Sequence, residues 1–501
     1  MPMNTALSKP IKTSRSLSLV GVLALTLAGC SLAPAYTRPA LPVPASQSSA
    51  PTISAAAGDA TPADVHFTQD EEQLFAELSP HGELKLLVIS ALGFNRDFRV
   101  AQLRVEEARA LRGVTRADRL PTVAAGIERN RQHFDNAAAD ERYGQNISIA
   151  SLGVSDFELD FFGRVRSLSD AARHDYLATT YGQQAARSAL IAEVAQAYLA
   201  ERLAAAMQLD AQTVTDARLM LVKAAETQQR LGAISVDELA VQRMDVLNAR
   251  QQVDDAASEH ATALQALLLL TGYSDPLPTM TLEAMPVTAS AMDTPTWLRD
   301  LPSQRLLDRF DIRQREETLK AGNANIGAAR AAFFPSIRLS TGVGIQSDGL
   351  RTLFSGGSGA WLFNPQLNLP LFDGGRNQSN LDLAQVREQI AVAEYEKAIQ
   401  AAFREMADAL TRRQQAVDHV RVEAEQVALV QEKIRRLSFE LDAGSADRTA
   451  PLISAIRVAQ TDLTLRKSIN ELQQNRVDIY RVLCGAEPSP SLPLAGTGVS
   501  P

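Results

Sequence analysis

The stretch ARAAFFPSIRLSTGVGIQ, Ala329 to Gln346, changes its period in the middle. Up to Phe334 its small and apolar residues read as the end of a helix. From Pro335 onward, Ile337, Leu339, Thr341, Val343 and Ile345 alternate with Ser336, Arg338, Ser340, Gly342, Gly344 and Gln346. That two-residue period belongs to a strand with one apolar face. A proline pushes the residue before it out of helical backbone space, so the helix is expected to stop there and the strand to follow directly. A fainter copy, TRADRLPTVAAGIE, runs from Thr115 to Glu128.

Aligning Pro121 with Pro335 shows that the copy is not local. Between Asp97 and Pro121 seven residues match: Asp97 with Asp311, Arg99 with Arg313, Ala110 with Ala324, Gly113 with Gly327, Arg116 with Arg330, Ala117 with Ala331, and the prolines. The likeness resumes where ELDFFGRVR (Glu158 to Arg166) parallels NLPLFDGGR (Asn368 to Arg376), the second copy carrying two extra residues. It persists in IAEVAQA (Ile191 to Ala197) against FREMADA (Phe403 to Ala409). The chain is therefore an internal duplication. The first repeat spans 70–272 and the second 300–484, with a Pro-rich connector at 273–299 between them.

Each repeat predicts a helix ending at the proline, two strands and then long helices. The strands are expected at 121–131 and 146–162, and at 335–347 and 360–372. In the last of these Trp361, Phe363, Leu367, Leu369 and Leu371 share a parity opposite to Asn364, Gln366 and Asn368. In the first repeat Ile147, Ile149, Phe157, Leu159 and Phe161 share a parity opposite to Ser148, Asp156, Glu158 and Asp160, which places those five on one face. Each run is as long as the nine to eleven residues or so of a tilted membrane-spanning strand. A half-buried sheet in a soluble domain has the same alternation. Polar or glycine-rich segments between the paired strands read as exposed hairpin loops. Four strands cannot close a barrel, for which about eight are needed. An open sheet in lipid would leave backbone edges unsatisfied. Spanning strands thus require several chains to share one barrel.

The helices point to an elongated body. From about Val165 to Leu231 only Gly182 interrupts good helix formers, and from Asn377 to Leu441 there is no glycine or proline. At 1.5 Å per residue each run reaches roughly 100 Å, a rod or tube rather than a globule. Each ends in a turn, RLGAISVDEL (Arg230 to Leu239) or LDAGSADRTAPL (Leu441 to Leu452). Gly232 and Gly444 suit helix C-termini, and Ser235 and Asp447 suit the caps of the returning helices.

At the N-terminus, Lys9, Lys12 and Arg15 precede the short apolar run LSLVGVLALTLAG, and LAGC closes it at Cys30. Residues 1–29 read as a lipoprotein signal peptide and Cys30 as the lipidated first residue, the alternative being a plain secretory signal or a short membrane anchor. Ser31 in place of aspartate favours the outer membrane. Residues 30–69, rich in Pro, Ser and Ala, read as a tether, and 485–501 as a flexible tail. With Cys30 lipidated, Cys484 has no disulfide partner and reads as a small apolar residue. The net charge of −8 and the lack of basic clusters argue against nucleic-acid binding. The six histidines are scattered and no catalytic motif is found, so neither an enzyme nor a metal site is expected, and no cofactor beyond the lipid on Cys30.

Residues Arg309 to Gly344, with LNLPLFDGGR and LGAISVDEL, resemble the TolC-type outer-membrane factors. With the lipoprotein box, the resemblance is to the NodT-class lipoproteins serving resistance-nodulation-division efflux pumps. It implies a mainly α fold with a membrane β-barrel: a homotrimer with twelve strands in one outer-membrane barrel, continued by an α-helical periplasmic tube. The connector and terminal segments form a belt, although YRVLCGAEPSPSLP (Tyr480 to Pro493) departs from the family's glycine-rich ending. The partners implied are a periplasmic adaptor and an inner-membrane transporter. The function implied is passive efflux of drugs or other small toxic compounds through a duct gated at the helix tips. Repeated three times, an acid at a tip makes a carboxylate ring. Asp442, Asp447, Asp237 and Glu238 are the candidates, with Arg448 as a closing partner; alternatively they are solvated or capping residues. Gly232, Ser235, Gly444 and Ser445 match the positions at which family members meet an adaptor. A protein-secretion outlet and a non-conducting periplasmic scaffold are the alternative functions.

Overall fold

The structure, a computed structural model, describes residues 33–34, 36–38, 65–272, 303–348, 353–354, 359–445, 447 and 449–483. The signal peptide, Cys30, the connector, Arg448, Cys484 and the tail lie outside the described residues. The chain divides into units 1–56 and 57–501. In the first, the five described residues have no regular structure.

In the second unit the order is α1 (Gln69–Leu78), α2 (Glu83–Phe94), α3 (Arg96–Ala117), β1 (Val123–Gln132), α4 (Ala137–Tyr143), β2 (Gln145–Leu159), α5 (Arg164–Arg230) and α6 (Val236–Thr271). There follow α7 (Ser303–Leu307), α8 (Phe310–Ala331), β3 (Ser336–Ser347), β4 (Gly359–Asn368), α9 (Arg376–Asp442) and α10 (Ala450–Leu483). The two halves repeat one plan. Both α5 and α9 run for 67 residues, about 100 Å each. Helix α5 passes through Gly182 without a break. A side chain added there would press within 3.1 Å of Gln314 on α8, so the glycine sits where two helices approach closely.

The α-helices end before the prolines. Helices α3 and α8 stop at Ala117 and Ala331. One tighter turn follows, in which Leu120 N–H donates to the Ala117 carbonyl (2.9 Å) and Phe334 N–H to that of Ala331 (3.1 Å). This contraction brings the chain out of helical geometry over three residues, as the proline requires. The strands are also shorter than the alternation implies. β2 ends at Leu159 and β4 at Asn368, because β3 begins only at Ser336, the partner of Asn368, and Pro370 has no N–H to extend a ladder.

The largest apolar cluster lies halfway along α5. Leu74, Phe75 and Leu78 of α1 and Leu84, Leu87, Val88 and Ala91 of α2 pack on Leu190, Ile191, Val194, Tyr198 and Leu199 of α5, with Leu267 of α6 and Val477 of α10. The N-terminal helices thus form a girdle around the middle of α5. Smaller clusters join α7 to α9 and α10 through Leu306, Met406, Ala409, Ile479 and Val482, and join α5 to α10 through Ala217, Leu221 and Ile456. In this girdle Glu71 is 2% exposed. Its carboxylate accepts from Arg187 (2.5 and 3.1 Å), the Tyr480 hydroxyl (2.9 Å) and the Thr68 N–H (2.9 Å).

Candidate functional site: a channel wall and its tips

The four strands form one antiparallel sheet in the order β1-β2-β3-β4. Residues directly opposite in the register share a face, so the pairing sorts every side chain. Val123, Ala125 and Ile127 of β1 pair with Val154, Leu152 and Ala150 of β2. The last three lie against Thr341, Val343 and Ile345 of β3, which meet Phe363, Trp361 and Gly359 of β4. This face is apolar and bare: Ile127, Leu152, Val343 and Trp361 are 69, 53, 63 and 78% exposed. The opposite face carries Glu128, Asn130, Ser151, Glu158, Arg338, Ser340, Asn364, Gln366 and Asn368. A sheet whose apolar side is bare and whose other side is polar matches the wall of a water-filled barrel, whereas a half-buried sheet would have its apolar side covered.

One expectation is corrected here. Ile147 and Ile149 do not share a face with Phe157 and Leu159. The register shifts between Val154 and Phe157, and Asp156 takes up the extra residue in left-handed geometry (φ 57°). Such a bulge reverses parity. Phe157 and Leu159 thereby join Leu152 on the apolar face, while Ile147 and Ile149 turn to the polar one. The Asp156 N–H donates to the Ser340 hydroxyl (3.0 Å), and its carboxylate pairs with Arg338 (3.1 Å) on the polar face.

At the junctions below the sheet, Pro335 and Pro121 stand between tube and wall. Phe334, just before Pro335, stacks on Phe162 at 4.8 Å. Helix α5 opens on Asp160, which accepts from the Arg166 N–H (2.7 Å), and α9 opens on Asp373, which accepts from the N–H groups of Gly375 and Asn377 (2.9 Å each). The Asn377 bond, followed by others from the same turn, holds the Asp373 carboxyl below the ordinary range.

The tips lie at the far ends of α5 and α9. At the first, Gly232 adopts left-handed geometry (φ 72°), and Ala233 N–H returns to the Gln228 carbonyl (2.8 Å). Ser235 then caps α6 reciprocally: Glu238 N–H donates to the Ser235 hydroxyl (3.1 Å) and Ser235 N–H to the Glu238 carboxylate (2.7 Å). At the second, Gly444 is left-handed (φ 70°), and Ser445 donates both its N–H and its hydroxyl to the Glu440 carbonyl (2.9 and 3.0 Å). Asp447 accepts from the Thr449 N–H (2.8 Å) at the start of α10. Glu238 and Asp447 are therefore engaged in local turns, whereas Asp237 and Asp442 have no side-chain partner among the described residues.

Backbone and hydroxyl donation from Ser235 lowers the Glu238 pKa. A carboxylate with a lowered pKa contributes fully above its ordinary range, about 4.3, and its contribution is lost as pH falls through the lowered value. We expect Ser235→Ala to loosen the first turn of α6 by about 1 kcal/mol, or about five-fold faster amide exchange there at neutral pH. In the native protein the same turn should loosen on acidification below pH 4, as read by hydrogen exchange, while the Gly444 turn changes less.

Three contacts that no local pattern signals hold the two hairpins together from the edge of the girdle at Leu199 toward the tips. Arg466 of α10 lies 3.9 Å from Asp210 of α5, and Asn470 donates to the Leu199 carbonyl (2.8 Å). Below them Ile456 packs on Ala217 and Leu221. Burial raises the Asp210 carboxyl, while Arg466 lowers it and Asp462 raises it. Any widening of the tube at its tips must strain these links. Among the described residues no helix is long and apolar enough to cross a membrane, and no three His, Cys, Asp or Glu side chains converge on a metal position.

The family model for outer membrane efflux proteins matches residues 87–273 and 301–485, one match for each repeat. The cation efflux system protein CusC of Escherichia coli O6:H1 is 37% identical over 463 residues, covering 92% of this chain and 97% of that protein. The outer membrane protein OprJ of Pseudomonas aeruginosa is 40% identical over 399 residues, covering 78% and 79%. The crystal structure of CusC superimposes with a TM-score of 0.71 at 34% identity, covering 91% of this chain and 99% of that one. With a duplicated helix–strand plan, an amphipathic sheet and long paired helices in common, the chain belongs to the outer membrane efflux protein family.

Proposed function

We propose that three copies of this chain form one exit duct, with twelve strands in the outer membrane of a Gram-negative bacterium and a helical tube reaching into the periplasm. The observation that carries this reading is the unfinished sheet. Among the described residues β1 and β4 each have one unpaired edge, and the apolar face is bare. The duplication says how a second copy completes it. Glu158 of β2 opposes Arg338 of β3, and their repeat equivalents are Asn368 and Ala124. β4 of one protomer therefore pairs with β1 of the next, Asn368 opposite Ala124. The tube follows the same rule. Helix α8 lies between α5 and α9, but among the described residues α3 packs chiefly on α5. Its open side takes α9 of the neighbouring copy. Where the internal seam has His174 and Glu317 (2.7 Å), the seam between copies has their equivalents Val386 and Leu103, both about half exposed in the single chain.

With Cys484→Ser removing the native thiol, Ala124→Cys combined with Asn368→Cys should yield disulfide-linked trimers on oxidation, and neither single variant should. Monomeric product from an oxidised, membrane-inserted double variant would refute this register. Conduction of ions by the trimer in a planar bilayer tests the duct itself, and inserted but silent protein would favour a scaffold.

In this reading Cys30 carries a lipid that anchors the tether. The tip residues Gly232, Ser235, Gly444 and Ser445 receive a periplasmic adaptor, which joins the duct to an inner-membrane transporter of the resistance-nodulation-division type. Asp237 and Asp442, without a side-chain partner among the described residues, form the gating carboxylate rings together with Arg448. The protein is a conduit and not an enzyme. Its cargo is small toxic compounds such as drugs. CusC is named for cation efflux, but the polar wall here carries mostly carboxamides and hydroxyls; its Asp156 and Glu158 are paired with Arg338 and Arg164, which leaves Glu128 as a carboxylate without an ion-pair partner among the described residues. That lining accommodates uncharged and amphipathic solutes.

A further inference from the structure

The two junctions between tube and wall differ in a way the duct reading does not explain. In the first repeat a cleft of about 380 Å³ opens where β2 leaves the apolar band. Phe157, Leu159 and Phe161 line it on one side, and Arg119 and Arg166 on another. Of its two acids, one is paired with a cation and the other keeps its charge but is turned to a backbone N–H, so with Arg119, Arg164 and Arg166 the cleft is net positive. Glu158 is bridged twice by Arg164 (2.8 and 2.6 Å), and Asp160 accepts from the Arg166 N–H (2.7 Å). Arg119 has no ion-pair partner among the described residues. Among the described residues the Arg166 guanidinium has only Asp170 as an ion-pair partner, at 3.9 Å and solvent-exposed. In the second repeat both cations are replaced: Phe333 stands at the position of Arg119, and Gln378 at that of Arg166.

We infer that this cleft binds an anionic phospholipid of the periplasmic leaflet, with the phosphate between Arg119 and Arg166 and an acyl chain along Phe161 and Phe157. The inference rests on the duct reading, which puts the strands in the membrane and this level at its inner surface. Charge complementarity selects the headgroup. Two guanidinium groups, Arg119 without an ion-pair partner among the described residues and Arg166 only loosely paired with exposed Asp170, hold a phosphodiester through charge-assisted hydrogen bonds. An ethanolamine ammonium would meet them with like charge, whereas a glycerol headgroup would not. The apolar wall continues directly into the lipid-facing side of β2, so the chain enters without leaving the bilayer. Because the second repeat lacks both arginines, the stoichiometry is one lipid per chain and three per trimer.

The test uses the full trimer reconstituted in bilayers of phosphatidylethanolamine with a minor fraction of phosphatidylglycerol. Retained lipids are counted by native mass spectrometry after transfer to mild detergent. The native protein should retain phosphatidylglycerol well above its bulk fraction, saturating at three per trimer. Arg119→Gln with Arg166→Gln should reduce that enrichment by about tenfold or more. Arg119→Phe, which copies the second repeat and so suits the fold, should reduce it as well. Phe333→Arg with Gln378→Arg should raise saturation toward six. Equal retention of the two lipids by the native trimer, or enrichment that survives both first-repeat variants, would overturn the inference; the latter would be expected if a neighbouring protomer's side chain fills the cleft. The same bilayers report conductance. Conduction without enrichment removes only the lipid site, whereas failure to insert and conduct removes the duct reading itself.

Discussion

Replacing Leu152 by arginine should abolish outer-membrane assembly, while the same change at Ile149, three residues earlier on the same strand, should leave the trimer intact. Leu152 is the central residue of β2, and its side chain lies with Ala125 and Val343 on the bare apolar face. An arginine at the midplane of a barrel's lipid face costs about 2–4 kcal/mol. Three symmetry-related copies bring this to roughly 6–12 kcal/mol per trimer, comparable to the whole stability of many domains. Ile149 sits opposite Glu128 and Gln346 on the polar face, where a guanidinium stays in water beside a carboxylate. The readout is the heat-modifiable trimer in outer-membrane fractions. Trimer yield should fall below detection for Leu152→Arg and stay near native for Ile149→Arg, whose conductance should shift toward anions. Equal loss in both variants would mean that the faces are assigned wrongly.

The second large effect is expected at the girdle. Glu71→Ala removes a carboxylate that accepts four hydrogen bonds and leaves Arg187 and the Tyr480 hydroxyl facing a nearly dry gap. Breaking one side of a buried ion pair costs about 3–5 kcal/mol. The Arg187 side chain is 25% exposed, so some solvent relief brings the expectation to the lower end, about 3 kcal/mol. Glu72→Ala, next in sequence, is the control. Its pair with Lys85 is exposed on both sides, and such pairs contribute about 0–1 kcal/mol. Thermal unfolding in detergent should therefore show a clear drop in midpoint for Glu71→Ala and almost none for Glu72→Ala. Because Tyr480 belongs to α10, amide exchange at the end of that helix should also accelerate only in the first variant.

What was legible in the sequence was local. The alternation in β3 runs without interruption, so its faces could be assigned by counting. The tip glycines and the Ser235–Glu238 cap lie within a few residues of each other, and their chemistry forces the turn. The bulge at Asp156 was not legible, because counting parity assumes that no residue is skipped, and an aspartate in left-handed geometry leaves no mark on composition. The Glu71–Arg187–Tyr480 contact and the Asp210–Arg466 link join residues far apart in sequence. Their meeting depends on the rotational phase of helices 67 residues long, to which a small error per turn is fatal. The duplication compensated in part: it relates a seam inside the chain to one between chains, information that no single strand or helix contains.

The girdle also acts as a fulcrum. From Tyr198, held in its core, helix α5 runs on to Arg230 without a break, an arm of about 48 Å. A tilt of about 5° at the girdle swings the end of that arm by about 4 Å, more than the width of a water molecule. The link at Asp210 lies about 18 Å along the arm and moves only about 1.6 Å for the same tilt. In the duct proposed above, such a tilt would open the mouth by leverage, with small adjustments near the pivot and no unwinding of any helix.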